Sequence, residues 1–239
     1  MIYVKFIRII LNYFDYFHQK KIINFFQQKF SKQITVIDVG AHFGETIKIF
    51  KKNFKIKKIY SFEASPINFK VLEKNFPNSL LDVEIYNFAL GSCSSESYIN
   101  QTMESSSSTI NSINKNSKYL DRKLKVLKIK NQDLVIKKIP IAIVSLDEFI
   151  EKKKIKNIDI LKIDTEGYEF NVLKGIEKNY QIIKMIYFEH HYDDMILKNY
   201  KFSDINKLLN DYGFSMVKKN KMLFRKSFEY IFENRINYK

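Results

Sequence analysis

A chain of 239 residues, 45% of them apolar, is long enough to bury one α/β core, and its single cysteine, Cys93, excludes an intramolecular disulfide and any cysteine-built metal centre. The formal charge of +15 is spread in short lysine runs such as Lys51–Lys52 and Lys152–Lys154, the habit of solvated faces, so no nucleic-acid partner is expected and only a preference for anionic substrates or surfaces survives. No stretch approaches the roughly 20 uninterrupted apolar residues of a membrane span, and the apolar N-terminus lacks a small-residue cleavage site, which together with the lone cysteine predicts a cytoplasmic protein.

Residues 1–30 read as an amphipathic helix. Lys5, Arg8, Asn12, Asp15 and Gln19 form one narrow polar stripe, and almost everything else is Ile, Leu, Phe, Tyr or Val. So broad an apolar face must be covered, by the main domain, by a second subunit, or by a membrane surface in peripheral contact. Residues 1–32 are therefore set apart as an N-terminal segment and 33–239 as one domain, with the oligomeric state left open.

From residue 33 the pattern alternates. Strand 34–39 precedes a helix over about 44–53, and strand 58–62 precedes a helix capped by Ser65 with Pro66 at its first position. Strand 83–88 follows. This β-α-β-α-β order predicts an α/β, Rossmann-like parallel sheet covered by helices on both faces. Residues 92–140, rich in serine and without a helical period, read as an insertion of β-hairpins such as "LKVLKIK" and as a lid or binding loop. Order resumes with a short helix in "VSLDEFIEKKKI", strand 158–163, helix 168–179, strand 182–189 and helix 203–211. Alternating stretches at 214–219 and 222–226 predict a closing antiparallel pair.

Two glycines four apart, Gly40 and Gly44 in "IDVGAHFG", end the first strand. Gly40 suits a turn that a Cβ would block, and Gly44 a ligand's approach to the backbone. His42 occupies the middle position of the dinucleotide fingerprint, which argues against a nicotinamide cofactor. Glu63 ends the second strand, about 20 residues on, where an acid accepts the hydroxyl hydrogens of an adenosine ribose.

Taken together, "VIDVGAHFGETI", "SFEASPINFKVLEKN", "NFALGS", "VSLDEFI" and "IDILKIDTEGYEFNVLKG" resemble the FkbM-type methyltransferases over about residues 34–226. The resemblance implies a class I methyltransferase fold, a seven-stranded sheet with its last strand antiparallel, and S-adenosylmethionine as cofactor. It implies that Asp38, Gly40 and Gly44 line the methionine side, that Glu63 holds the ribose, and that Asn87, Phe88 and Ala89 lie near adenine. His42 stands where the family commonly has asparagine and is given only local turn hydrogen bonding. The implied activity is methyl transfer to a hydroxyl, of a sugar in a glycan or glycolipid.

The acidic turn supplies Asp164, expected in the cleft near the transferred methyl, with Glu166 as a substrate contact. Glu169 reads equally as a dipole-favoured acid in a helix's first turn. "EHHYDD" places Glu189 and His191 on one face of a strand and His190 on the other. His190 or His191 could serve as general base. Alternatively Asp164, Glu189 and His191 could hold a magnesium ion that orients sugar hydroxyls. Ser107 and Ser108, in the serine-rich stretch 105–109, are expected to close over the substrate. The other classes considered are an NAD(P)-dependent oxidoreductase on a similar sheet and a non-catalytic binding protein attached to a membrane by its first 30 residues.

Overall fold

The computed structural model describes residues 19–77, 81–127, 134–222 and 225–236. The first half runs helix α1 (19–29), β1 (Ile34–Val39), α2 (Glu45–Asn53), β2 (Ile56–Phe62), α3 (Pro66–Asn75), β3 (Val83–Tyr86), β4 (Ala89–Gly91), β5 (Ser95–Thr102) and α4 (Lys118–Leu127). The second runs β6 (Val135–Ser145), α5 (Leu146–Lys153), β7 (Ile158–Ile163), α6 (Glu169–Lys174), β8 (Ile183–His191), α7 (Phe202–Asp211), β9 (Phe214–Lys221) and β10 (Ser227–Asn234).

β1 is buried at all six residues, as a strand covered on both faces must be. Its side chains alternate between two cores. Ile34 and Val36 pack with Phe26 of α1, Ile47 and Phe50 of α2 and Leu72 of α3. Ile37 and Val39 pack with Phe149 of α5, Val172 of α6 and Leu209 of α7. The seven-stranded sheet has the order β3-β2-β1-β7-β8-β10-β9. β10 is antiparallel to both its neighbours and the other pairs are parallel. This is the Rossmann-like architecture with an antiparallel last strand. The order reverses between β1 and β7, and in such sheets ligands sit outside the carboxyl ends of the strands at that point.

Local chemistry sets several boundaries. Ser65 accepts from the Ile67 and Asn68 N–H groups at the start of α3, and Pro66 fills the first helical position. Ser145 accepts from the Glu148 N–H to open α5.

Other boundaries departed from the sequence pattern. β3 stops at Tyr86, and Ala89–Gly91 pair instead with β6 in a second sheet of order β4-β6-β5. The predicted helix 168–179 ends at Lys174, and its cap residue Gly175 lies against the Gly91 backbone, where a Cβ would meet the carbonyl at 2.1 Å. The second closing strand is Ser227–Asn234 rather than 222–226. In the insertion a hairpin does form, but between β5 and β6. The first four residues of "LKVLKIK" belong to α4, whose Leu120 and Leu124, one turn apart, pack on Met195 and Ile196. A short run alternating Leu and Lys satisfies both periods, and burial of the i, i+4 pair decides for helix.

Of the predicted N-terminal helix, residues 1–18 lie outside the described residues. In α1, Ile22, Ile23 and Phe26 are buried in the core over β1, and the Phe26 ring meets those of Phe50 and Tyr187. No helix among the described residues is long and apolar enough to cross a membrane. Phe26→Ala is expected to cost about 3–5 kcal/mol in denaturant unfolding. A loss under about 0.5 kcal/mol, as for a surface site, would mean that α1 does not dock on this core.

Candidate active site

At the end of β1 the chain turns through Gly40, whose φ is +86°, and its N–H donates to the Phe62 carbonyl at 2.9 Å. A Cβ on Gly40 would stand 1.8 Å from the Asp164 carbonyl oxygen, so the glycine permits two loops to touch. Gly44, φ +89°, has a different task. A Cβ there would meet the Phe76 ring at 2.2 Å, so the room that it leaves is filled by the end of α3, not by a ligand.

Glu63 is buried just past β2. Its Oε2 accepts from the His42 N–H at 2.8 Å, and its Oε1 from the Ser65 N–H at 2.9 Å. Burial raises its pKa, and these main-chain donors pull it back. Asn87 does not turn inward. Its Nδ2 donates to the carbonyl of Glu63 at 2.9 Å and steadies the strand end.

Beneath the turns lies a buried ion chain. Asp38 is fully buried; Lys162 Nζ stands 3.3 Å from its Oδ1 and 3.6 Å from Asp164 Oδ2. Burial lifts Asp38 above the usual carboxylate range. Although burial also opposes the ammonium, the two carboxylates hold Lys162 charged more firmly than usual. Asp38 therefore supports the cleft from below and does not line it.

The acidic turn is over-determined. Glu166 has a φ of +50° and Gly167 of +97°. Glu169 Oε1 accepts from the Thr165 N–H, the Thr165 hydroxyl and the Gly167 N–H at 2.8–3.3 Å, while Tyr200 donates to its Oε2 at 2.6 Å. Thr109 Oγ1 donates to the Glu166 carbonyl and Asn111 Nδ2 to that of Gly167. Glu169 is thus a clamp inside the turn.

On β8 the alternation holds to the end of the strand. His190 faces the rings of Tyr192, Tyr200 and Phe202, away from the acidic turn. Burial and the Lys198 ammonium push it down to about 3, so its ring is neutral. His191 Nε2 lies 3.5 Å from Glu166 Oε2 and 3.4 Å from Glu189 Oε1, with Asp193 Oδ2 3.6 Å from Nδ1. Although burial opposes the charge, the carboxylates of Glu166, Asp193 and Glu189 hold His191 up at about 10. Burial raises Glu189 to about 7 against the pull of His191. The two neighbouring histidines are thus driven in opposite directions by their surroundings. Among the described residues no three His, Cys, Asp or Glu side chains are arranged to hold a metal ion.

These turns enclose a cleft with about 560 Å³ of unfilled space, part of it open to solvent. Gly40, Glu63, Phe88, Ala89, Asp164 and Glu166 line it, together with Ser108. Asp38, Gly44, Asn87 and Ser107 do not reach it. Ser107 is buried the other way, on Lys123 and Glu104.

A family model described as the methyltransferase FkbM domain matches residues 38–216. The chain belongs to the FkbM methyltransferase family. The family and fold are those of S-adenosylmethionine-dependent methyltransferases. An FkbM methyltransferase from Methylobacillus flagellatus superposes with a TM-score of 0.50 at 14% identity, over 83% of this chain and 43% of that one. This chain therefore spans less than half the length of that relative. TrmK from M. capricolum, solved with S-adenosylhomocysteine, superposes with a TM-score of 0.50 at 11% identity, over 89% of this chain and 67% of that one. An rRNA methylase from Streptococcus thermophilus does so with a TM-score of 0.50 at 9%, over 90% and 94%. At such identities the likeness is one of fold. No curated protein sequence matches the chain.

In this FkbM methyltransferase the cleft fits the cofactor by its own chemistry. A buried carboxylate at the end of β2 shares the lining of one open space with the apolar surfaces of Phe88, Ala89 and Tyr168. Lys162, Asn68 and Tyr168 were missed in the sequence. Only Lys162 left a signal, a lone cation inside the apolar strand "IDILKI". The histidine assignment is open to titration by NMR: His191 should stay protonated until about pH 10 and His190 neutral down to about pH 3. Two ordinary transitions near 6.5 would refute the buried ion cluster.

Proposed function

We propose that this protein transfers a methyl group from S-adenosylmethionine to a hydroxyl oxygen, and that the hydroxyl belongs to a sugar. The supporting observation is that three carboxylates, those of Glu63, Asp164 and Glu166, line one cleft. The cofactor, when bound, supplies a methyl carbon already activated by a sulfonium, so the chain's own work is to place, shield and deprotonate.

Glu63, fixed by two main-chain N–H groups, has lone pairs left for the ribose hydroxyls. Phe88, Ala89 and Tyr168 flank the base. Asp164 and Glu166 accept hydrogens from the acceptor, and one of them takes the hydroxyl proton as the methyl–sulfur bond breaks and the new C–O bond forms, the sulfonium becoming a neutral thioether. Two neighbouring acids suit the adjacent hydroxyls of a polyol. Their charge repels a phosphate-rich acceptor.

Titration calorimetry with S-adenosylhomocysteine should show Glu63→Ala losing at least about tenfold in affinity, since hydrogen bonds to a charged group are lost. Methyl-labelled cofactor incubated with a glycan and glycolipid extract should leave label in alkali-stable sugar methyl ethers. Label confined to RNA or protein would overturn the sugar reading.

A further inference from the structure

Four contacts close a ring around Glu63. The His42 N–H donates to its Oε2 at 2.8 Å. The imidazole of the same His42 places Nε2 2.8 Å from Ser105 Oγ, across 63 residues of sequence. The Ser105 carbonyl accepts from Asn68 Nδ2 at 3.3 Å, and that Nδ2 lies 3.4 Å from Glu63 Oε1. The serine-rich turn thus grips residues that hold both oxygens of the carboxylate, and Ser105 and Ser106 line the cleft beside Glu63.

His42 is held for this on every side. Its φ of +49° is a left-handed conformation that a residue with a Cβ keeps only where its surroundings over-determine it. Its ring stacks on Phe43 with centroids 3.7 Å apart, and Nδ1 lies 3.3 Å from Glu45 Oε1. A carboxylate only accepts, so Nδ1 carries a proton towards Glu45, and Nε2 is left to the Ser105 hydroxyl. The turn is anchored beyond Ser105 as well: Thr102 and Ser108 bond each other at its base, and Thr109 reaches the acidic turn.

We propose that His42 is a positioning residue that couples the serine-rich turn to the ribose-binding carboxylate, so that Ser105 sets cofactor affinity from the insertion. The inference rests on the methyltransferase reading above. It moves the turn from the acceptor side, where the sequence put it, to the roof of the cofactor site.

Calorimetry with S-adenosylhomocysteine tests it without knowledge of the acceptor. Ser105→Ala should bind about three- to tenfold more weakly, the worth of one hydrogen bond, and Ser105→Thr, which keeps the hydroxyl, should recover most of the loss. His42→Gly keeps the left-handed turn and the N–H on Glu63 while removing the ring, and should lose the same factor. The double variant should bind no worse than either single one, because both remove one contact. Wild-type affinity in Ser105→Ala, or losses that multiply in the double variant, would overturn the proposal. Should His42→Gly fail to fold, the Ser105→Ala and Ser105→Thr pair decides alone. Wild-type protein that did not bind the probe would sink the cofactor assignment and this proposal together, whereas tight wild-type binding with an indifferent Ser105→Ala sinks the proposal only.

Discussion

The ends of β1 and β7 come together more closely than side chains would allow. Asp164 donates its N–H to the Val39 carbonyl at 2.9 Å, and its own carbonyl occupies the place of a Cβ on Gly40. That contact at the switch point of the sheet sets the glycine turn beside the acidic turn. It also aligns Asp38 with Lys162 in the strand register, so that a buried ammonium can bridge to Asp164 above. A buried ion pair is a weak source of stability, since its desolvation cost offsets most of the attraction. Its consequence here is geometric: it restrains a carboxylate at the mouth of the cleft.

The cluster around His191 is governed by the same low dielectric. Glu166, Glu189 and Asp193 surround one imidazole, and their combined field outweighs the desolvation of His191. One residue earlier in the same strand, without carboxylates around it, burial wins and His190 stays neutral. Adjacent histidines thus differ because the strand pleat sends them to opposite environments.

The insertion is bound into the site more tightly than its serine-rich composition suggests. Ser105 meets the glycine turn, Thr109 and Asn111 meet the acidic turn, and α4 packs on the loop after β8. It joins three sheet-edge segments that would otherwise end independently.

The alternation of apolar strands and capped helices determined the doubly wound sheet, because β1 and β7 must be predominantly apolar to be covered on both faces, and Ser65-Pro66 and Ser145 start helices by local hydrogen bonding. Glu63 and the acidic turn were legible for a similar reason: their positions follow from strand ends alone. Tertiary structure decided what each polar group faces. Gly40 and Gly44 look alike in sequence, yet one makes room for a backbone and the other for Phe76. Ser107 and Ser108 are neighbours, yet only Ser108 reaches the cleft. Whether a histidine is charged, or a serine bonds to a turn 63 residues away, depends on groups that folding brings within a few ångströms, and electrostatic and hydrogen-bond energies at that range carry no trace in local periodicity.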